Sequence, residues 1–103
     1  SWDVSKVTNM NSMFQYTDFF NQPLNWDLSN IIDMSYMFYE AKKFNSKINF
    51  TNTNKVEIIS SMFQGASSFN QDLSGWNVSK ITNRLNYDDG AGLWEAKHKP
   101  LFP

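Results

Sequence analysis

Residues 26–48 read WDLSNIIDMSYMFYEAKKFNSKI, and residues 62–82 read MFQGASSFNQDLSGWNVSKIT. The second stretch repeats the core of the first. The Met-Phe pair recurs as Met13-Phe14, Met37-Phe38 and Met62-Phe63, at intervals of 24 and 25 residues. Phe-Asn recurs as Phe20-Asn21, Phe44-Asn45 and Phe69-Asn70 at the same intervals, and an aliphatic follows each Phe at Leu24, Ile48 and Leu73. A further aromatic column runs Trp2, Trp26, Phe50 and Trp76. One-residue insertions within Thr51–Val56 and near Gly75 explain the drift in spacing. The consensus is W-D-[VL]-S-x-[VI]-x-x-M-x-x-M-F-x-x-A-x-x-F-N-x-x-[LI]-x-W.

A period this short cannot hold two packed helices. It predicts an α/β repeat solenoid, leucine-rich-repeat-like, with one short parallel strand plus a short helix or 3-10 turn per coil of 24–25 residues. The alternation Leu24-Asn25-Trp26-Asp27-Leu28 is the strand signal, repeated at Ile48–Thr51 and, with a Ser-Gly insertion, at Leu73–Val78. The spacing of Val7, Met10, Met13 and Phe14, repeated at Ile31, Met34, Met37 and Phe38, is one face of a short helix or 3-10 turn. The expected core columns are Trp2, Trp26, Phe50 and Trp76; Phe14, Phe38 and Phe63; and Phe20, Phe44 and Phe69. Asn21, Asn45 and Asn70 are equivalent, and an amide ladder through them would satisfy turn backbone.

The segments 26–48 and 62–82, with the signature W-D-[VL]-S-x-[VI]-T-x-M-x-x-M-F, resemble the bacterial surface-protein repeat of the mycoplasma lipoprotein type, a family similar to BspA-like leucine-rich repeats. The resemblance covers about residues 1–83. It implies an open solenoid in a surface-exposed or secreted protein, with a role in adhesion or partner recognition. It implies no enzyme activity and no catalytic residue. The third repeat departs from it, reading FTNTNKVEII, and so does everything after Thr82.

The chain is 103 residues long, enough for one domain with a modest core. The expected division is repeats over 1–83 (2–25, 26–49, 50–75 and a partial 76–83), followed by an atypical cap over 84–103. The opening at Ser1-Trp2, inside a repeat unit, reads as a piece of a longer repeat protein with an uncapped first coil open to self-association. Aromatics make up 17% of residues, enough apolar ring surface to offset the ordering entropy of 13 Asn and 12 Ser. A net charge of −1 argues against nucleic acid, and no apolar run is long enough to span a membrane. No cysteine and a single histidine exclude disulfides, thiol catalysis and multi-His metal sites, and no cofactor is expected.

Outward positions of the strand face are Asp3, Asn25, Asp27, Asn49, Thr51, Ser74 and Asn77, the expected binding face for a protein or glycan partner at a cell surface. The competing reading is a solvated sheet face, since the set holds no aromatic or Arg anchor. Asp3 and Asp27 also suit turn bonding. Tyr16, Phe19, Tyr36 and Tyr39 form a second candidate patch, read either as a protein contact or as packing between coils. Lys6, Lys55 and Lys80 align in a column that either attracts an acidic partner or only solubilises the chain. Asp88, Asp89, Glu95 and His98 are the sole acid–base grouping, and read as surface rather than as a catalytic or calcium site. Asn49-Phe50-Thr51 and Asn77-Val78-Ser79 match the glycosylation pattern, as an Asn-rich repeat does by chance. The function so expected is a non-enzymatic surface recognition or adhesion module. The alternative is a spacer that projects another domain.

Overall fold

The computed structural model describes residues 6–50 and 52–102. Trp2, Asp3 and Thr51 lie outside the described residues. Successive repeats meet through backbone hydrogen bonds that follow one rule. Amides of alternate residues in one repeat donate to carbonyls of the next: Met10 to Asp33 (2.9 Å), Ser12 to Ser35 (3.0 Å), Phe14 to Met37 (2.8 Å) and Tyr16 to Tyr39 (2.7 Å). The intervening amides turn back on their own repeat, Met13 to Met10 and Gln15 to Ser12. Met34, Tyr36, Phe38 and Glu40 reproduce the pattern toward Ile58, Ser60, Met62 and Gln64. Ile59, Ser61, Phe63 and Gly65 do so again toward Asn83, Leu85, Tyr87 and Asp89.

This division of the amides explains why the Met-x-x-Met-Phe spacing forms no helix. An α-helix sends every interior N–H back four residues. Here half of them are committed to the neighbouring repeat. The backbone achieves this by entering the left-handed region twice per repeat, at Ser12 (φ 63°) and Tyr16 (φ 59°), Tyr36 (59°) and Glu40 (57°), Ser61 (54°) and Gly65 (75°), and Asn86 (57°) and Gly90 (80°). Each such step resets the chain direction before a second helical turn can close.

The α/β solenoid expected from the sequence is therefore corrected. The described residues contain no α-helix and no strand. Their regular structure is confined to two 3-10 helices, Thr53–Lys55 and Ala96–His98. The parallel pairings are isolated bridges, Asn9 with Asp33, Asp33 with Ile58, Ile58 with Asn83, and Leu24 with Ile48. The apolar–polar alternation at Leu24–Leu28 yields isolated bridges rather than a strand. The molecule measures 33 × 29 × 19 Å with a radius of gyration of 12.3 Å.

The core lies between the turns. Phe38, Phe44, Phe63 and Phe69 are fully buried with Met34, Met37 and Met62. Their rings run in register across the repeats, Phe14–Phe38–Phe63 at centroid spacings of 5.5 and 5.3 Å, and Phe20–Phe44–Phe69 at 5.6 and 5.7 Å. Within each repeat the two rings stack face to face, at 4.4 Å for Phe14–Phe20 and Phe38–Phe44 and 4.3 Å for Phe63–Phe69. A third column, Trp26–Phe50–Trp76, keeps 5.9 Å at each step. Trp76 is only half-buried.

The repeat register continues past residue 83. Ala91 and Trp94 occupy the positions of Ala66 and Phe69, and Trp94 donates to Ala91 as Phe69 does to Ala66. Trp94 meets both Phe63 (4.8 Å) and Phe69 (5.0 Å), so one indole ends two phenylalanine columns. Repeat hydrogen bonding thus reaches His98, whose carbonyl accepts the Leu73 amide as that of Lys47 accepts Leu24, and a tail of 99–102 follows. There Phe102 packs edge-on against Tyr87 at 5.5 Å and under the Arg84 guanidinium.

Candidate functional site

Equivalent Asp and Asn side chains hold the turns. Asp27 accepts the Ser29 amide, Asp33 the Ser35 amide, Asp72 the Ser74 amide and Asn77 the Ser79 amide, all two residues on. This is the local carboxylate or amide turn that competes with helix. Asn52 Nδ2 also reaches Asp27 at 3.0 Å, and that bond, with the Ser29 amide behind it, holds the Asp27 carboxyl below the usual range. The Ser74 hydroxyl, then the Ser74 amide, does the same for Asp72.

The equivalent asparagines lie one above another. Asn21 Oδ1 accepts the Asn45 amide at 2.8 Å, Asn45 Oδ1 the Asn70 amide at 2.8 Å, and Asn70 Oδ1 the Glu95 amide at 2.9 Å. Asn70 Nδ2 donates to Glu95 Oε2, which fixes the orientation of its amide. His98 Nδ1, 2.9 Å from Asn70 Oδ1, is then the donor of that pair. The Asn70 amide, with Lys97 behind it, holds the Glu95 carboxyl below its usual range. Asp88 instead pairs with Lys99 at 2.9 Å. Glu95 and His98 thus serve one structural contact and Asp88 another, and among the described residues no three of His, Asp and Glu converge on a metal position.

The expected binding face divides. Asn25, Asp27, Asn49 and Asn77 are exposed and Ser74 is half-buried. Asn25 borders an apolar hollow of about 250 Å³ at the first repeat, lined by Phe14, Phe20, Leu24 and Trp26. Asn49 and Asn77 flank a different place. Two adjoining open hollows, about 310 and 380 Å³, share Phe50, Gly75 and Trp76. Lys47, Asn49, Gln71 and Asp72 rim the first, and Asn52, Asn54 and Asn77 the second. The Ser74-Gly75 insertion makes the space: a Cβ at Gly75 would meet nothing within 4 Å. The result is an indole edge surrounded by amides, one carboxylate and one ammonium. Reading Trp76 from the sequence as a core ring missed this. The signal was the insertion beside it, which puts a residue with no side chain next to the ring while the stacking distance to Phe50 stays at 5.9 Å.

The aromatic patch has its own geometry. Tyr16 is 63% exposed and Phe19 87%. Tyr39 touches both Tyr16 and Tyr36 edge-on at 5.3 Å, and Tyr16 beside it pushes the Tyr39 hydroxyl above the usual phenol range. Lys6, Lys55 and Lys80 are exposed.

A family described as mycoplasma proteins of unknown function, DUF285, matches residues 1–95. The chain belongs to that family. Its repeat is a mycoplasma-type repeat, compatible with surface proteins, and the match runs through Trp94 and Glu95. No curated protein and no solved structure matches. The DUF285 description names no activity. Among the described residues no helix is long and apolar enough to cross a membrane.

Proposed function

We propose that this chain is a non-enzymatic recognition and adhesion module of a mycoplasma surface protein, and that it binds a glycan at the hollows around Trp76. The observation that carries the reading is the half-buried Trp76 indole inside a rim of Asn49, Gln71, Asp72 and Asn77. Sugars present an apolar C–H face to an aromatic ring and hydroxyls that both donate and accept. Amides do both, and a carboxylate accepts. Asp72, held ionised by Ser74, supplies that acceptor. The surface setting, including the resemblance to BspA-like repeats, belongs to this reading. Exposed Tyr16 and Phe19 favour a second one, a protein contact on the tyrosine patch, because interface hot spots are rich in such rings.

Binding of the 103-residue chain to an immobilised glycan array, with Gly75→Leu and Asn49→Ala as variants, tests the reading. Gly75 has open space where a Cβ would stand, so a leucine there enters the hollow. Captured glycans should be lost with Gly75→Leu and weakened by about tenfold with Asn49→Ala, the loss of one hydrogen bond of about 1.4 kcal/mol. Retention by Gly75→Leu would move the site elsewhere. An array with no hit would favour the spacer.

A further inference from the structure

Three of the four tyrosines meet at the boundary between the first and second repeats. The Tyr39 ring stands edge-on to Tyr16 at 5.3 Å and 83°, and edge-on to Tyr36 at 5.3 Å and 69°. The Tyr16 amide donates to the Tyr39 carbonyl at 2.7 Å, so the backbone holds the first pair as well as the ring contact. Tyr16 raises the Tyr39 hydroxyl above the usual phenol range, by charge first and by side-chain hydrogen bonding second, whereas Tyr36 acts by charge alone and least of all. Both effects fall off with distance, so the phenol ends of Tyr16 and Tyr39 converge. Left-handed backbone holds them there. Tyr16 and Tyr36 have φ 59°, a region that disfavours large side chains. The residues equivalent to Tyr16 in the third and fourth repeats are Gly65 and Gly90, at φ 75° and 80°. A ring at a position that suits glycine points to a use for the ring itself.

We infer that Tyr16 and Tyr39 form an oxidative coupling site, at which a peroxide acting through a haem peroxidase staples the first two repeats with a dityrosine bond. Each phenol gives up one electron and one proton, which together reduce the peroxide to water. The two rings bond through the carbons beside their hydroxyls. The hydrogen on each of those carbons then moves to its phenol oxygen, so both hydroxyls are restored and the chain loses two hydrogens in all. Convergent phenol ends are what this bond requires, because the coupling carbons adjoin the oxygen-bearing ones. The oxidant has access on the second repeat, which has a repeat of this chain on either side: Tyr36 is 40% exposed and Tyr39 half-buried. A bond between Tyr36 and Tyr39 would close only one turn, whereas the Tyr16–Tyr39 bond spans two repeats. The fourth tyrosine, Tyr87, meets the rings of Trp94 and Phe102 and, among the described residues, no tyrosine.

Oxidation of the dilute 103-residue chain with peroxide and a haem peroxidase tests the site. Dityrosine fluorescence should appear in a product that still runs as one chain of 12.0 kDa. Cleavage at Asp18, Asp27 and Asp33 separates Tyr16 from Tyr36 and Tyr39, so mass spectrometry should find two fragments joined through Tyr16 and Tyr39. Tyr16→Phe and Tyr39→Phe should each lose this product, and Tyr36→Phe should keep it. Near-UV circular dichroism checks that the three variants keep the stacked phenylalanines. The thermal midpoint of the coupled chain should rise by about 5 °C or more, because closing a loop across two repeats narrows the unfolded ensemble. Absence of dityrosine, a bond confined to Tyr36 and Tyr39, or products that are mainly joined chains would each overturn the proposal. A coupled chain whose midpoint does not rise would overturn the staple.

Discussion

Asn45 is bonded on both sides. Its amide donates to Asn21 Oδ1, and its own Oδ1 accepts the Asn70 amide at 2.8 Å and Gln71 Nε2 at 3.0 Å. Asn45→Ala removes an acceptor shared by the next repeat and should lower stability by about 1 kcal/mol, seen as a shifted denaturant midpoint at unchanged slope. Asn45→Asp keeps the acceptor and should retain most of the stability. An unshifted midpoint in the alanine variant would mean that water replaces the ladder at no cost. The glycines offer a sharper contrast. Gly90 has φ 80°, and a Cβ there would sit 3.2 Å from the Gly65 backbone nitrogen, which cannot swing aside. Gly92, two residues on, has open space and no left-handed backbone. Gly90→Ala should cost about 1–2 kcal/mol and Gly92→Ala should stay within about 0.5 kcal/mol of the parent. Equal thermal midpoints for the two would contradict the close approach of the Gly65 and Gly90 backbones.

Between the turns the element that matters is the ring column, not the helix or the strand. Phe38 stacks on Phe14, Phe63 and Phe44 and is fully buried. Phe38→Ala removes ring contacts to three neighbours and should cost about 3–5 kcal/mol, read by chemical denaturation. A midpoint within error of the parent would show that the columns do not carry the fold. These columns were legible in the sequence because identical residues at one period must meet when repeats pack on each other. The same holds for the asparagines, whose small amide at Asn21, Asn45 and Asn70 suits a turn. The local conformation was not legible. Left-handed backbone is expected at Gly, Asn or Asp, as at Gly65, Gly90 and Asn86, yet Tyr16, Tyr36 and Glu40 adopt it too. No residue type announced that step, so Met10-x-x-Met13-Phe14 read as a helix face although half of its amides serve the next repeat. The same blindness hid the hollows at Trp76. Asn49 and Asn77 were readable as outward, whereas the gap beside the indole depends on where the inserted Gly75 leaves open space in the folded turn.

On the scale of the whole molecule, carboxylates distributed along the repeats act as fasteners. Asp27 is held by Asn52 and Ser29, Asp72 by Ser74, and Glu95 by Asn70 and Lys97. All three carboxyls titrate below their ordinary values of 3.8 and 4.5 because their partners favour the charged form. The folded pKa values are depressed, so the stabilisation is fully present above those ordinary values. It is lost as pH falls through them toward the folded values. Each carboxyl is exposed, so solvent screens the individual effects, and acid sensitivity arises from their sum. The denaturation midpoint should therefore hold steady on the neutral side and fall between about pH 5 and pH 3. The combined variant Asp27→Asn, Asp72→Asn, Glu95→Gln replaces three titrating acceptors with amides that keep an oxygen in place. It should lose much less of its stability across that window. Only a flatter profile in the variant assigns the acid response to these three fasteners. An equally steep fall would place that response on other carboxylates of the chain, and a parent midpoint that does not move below pH 5 would show that the turns outlast their charges.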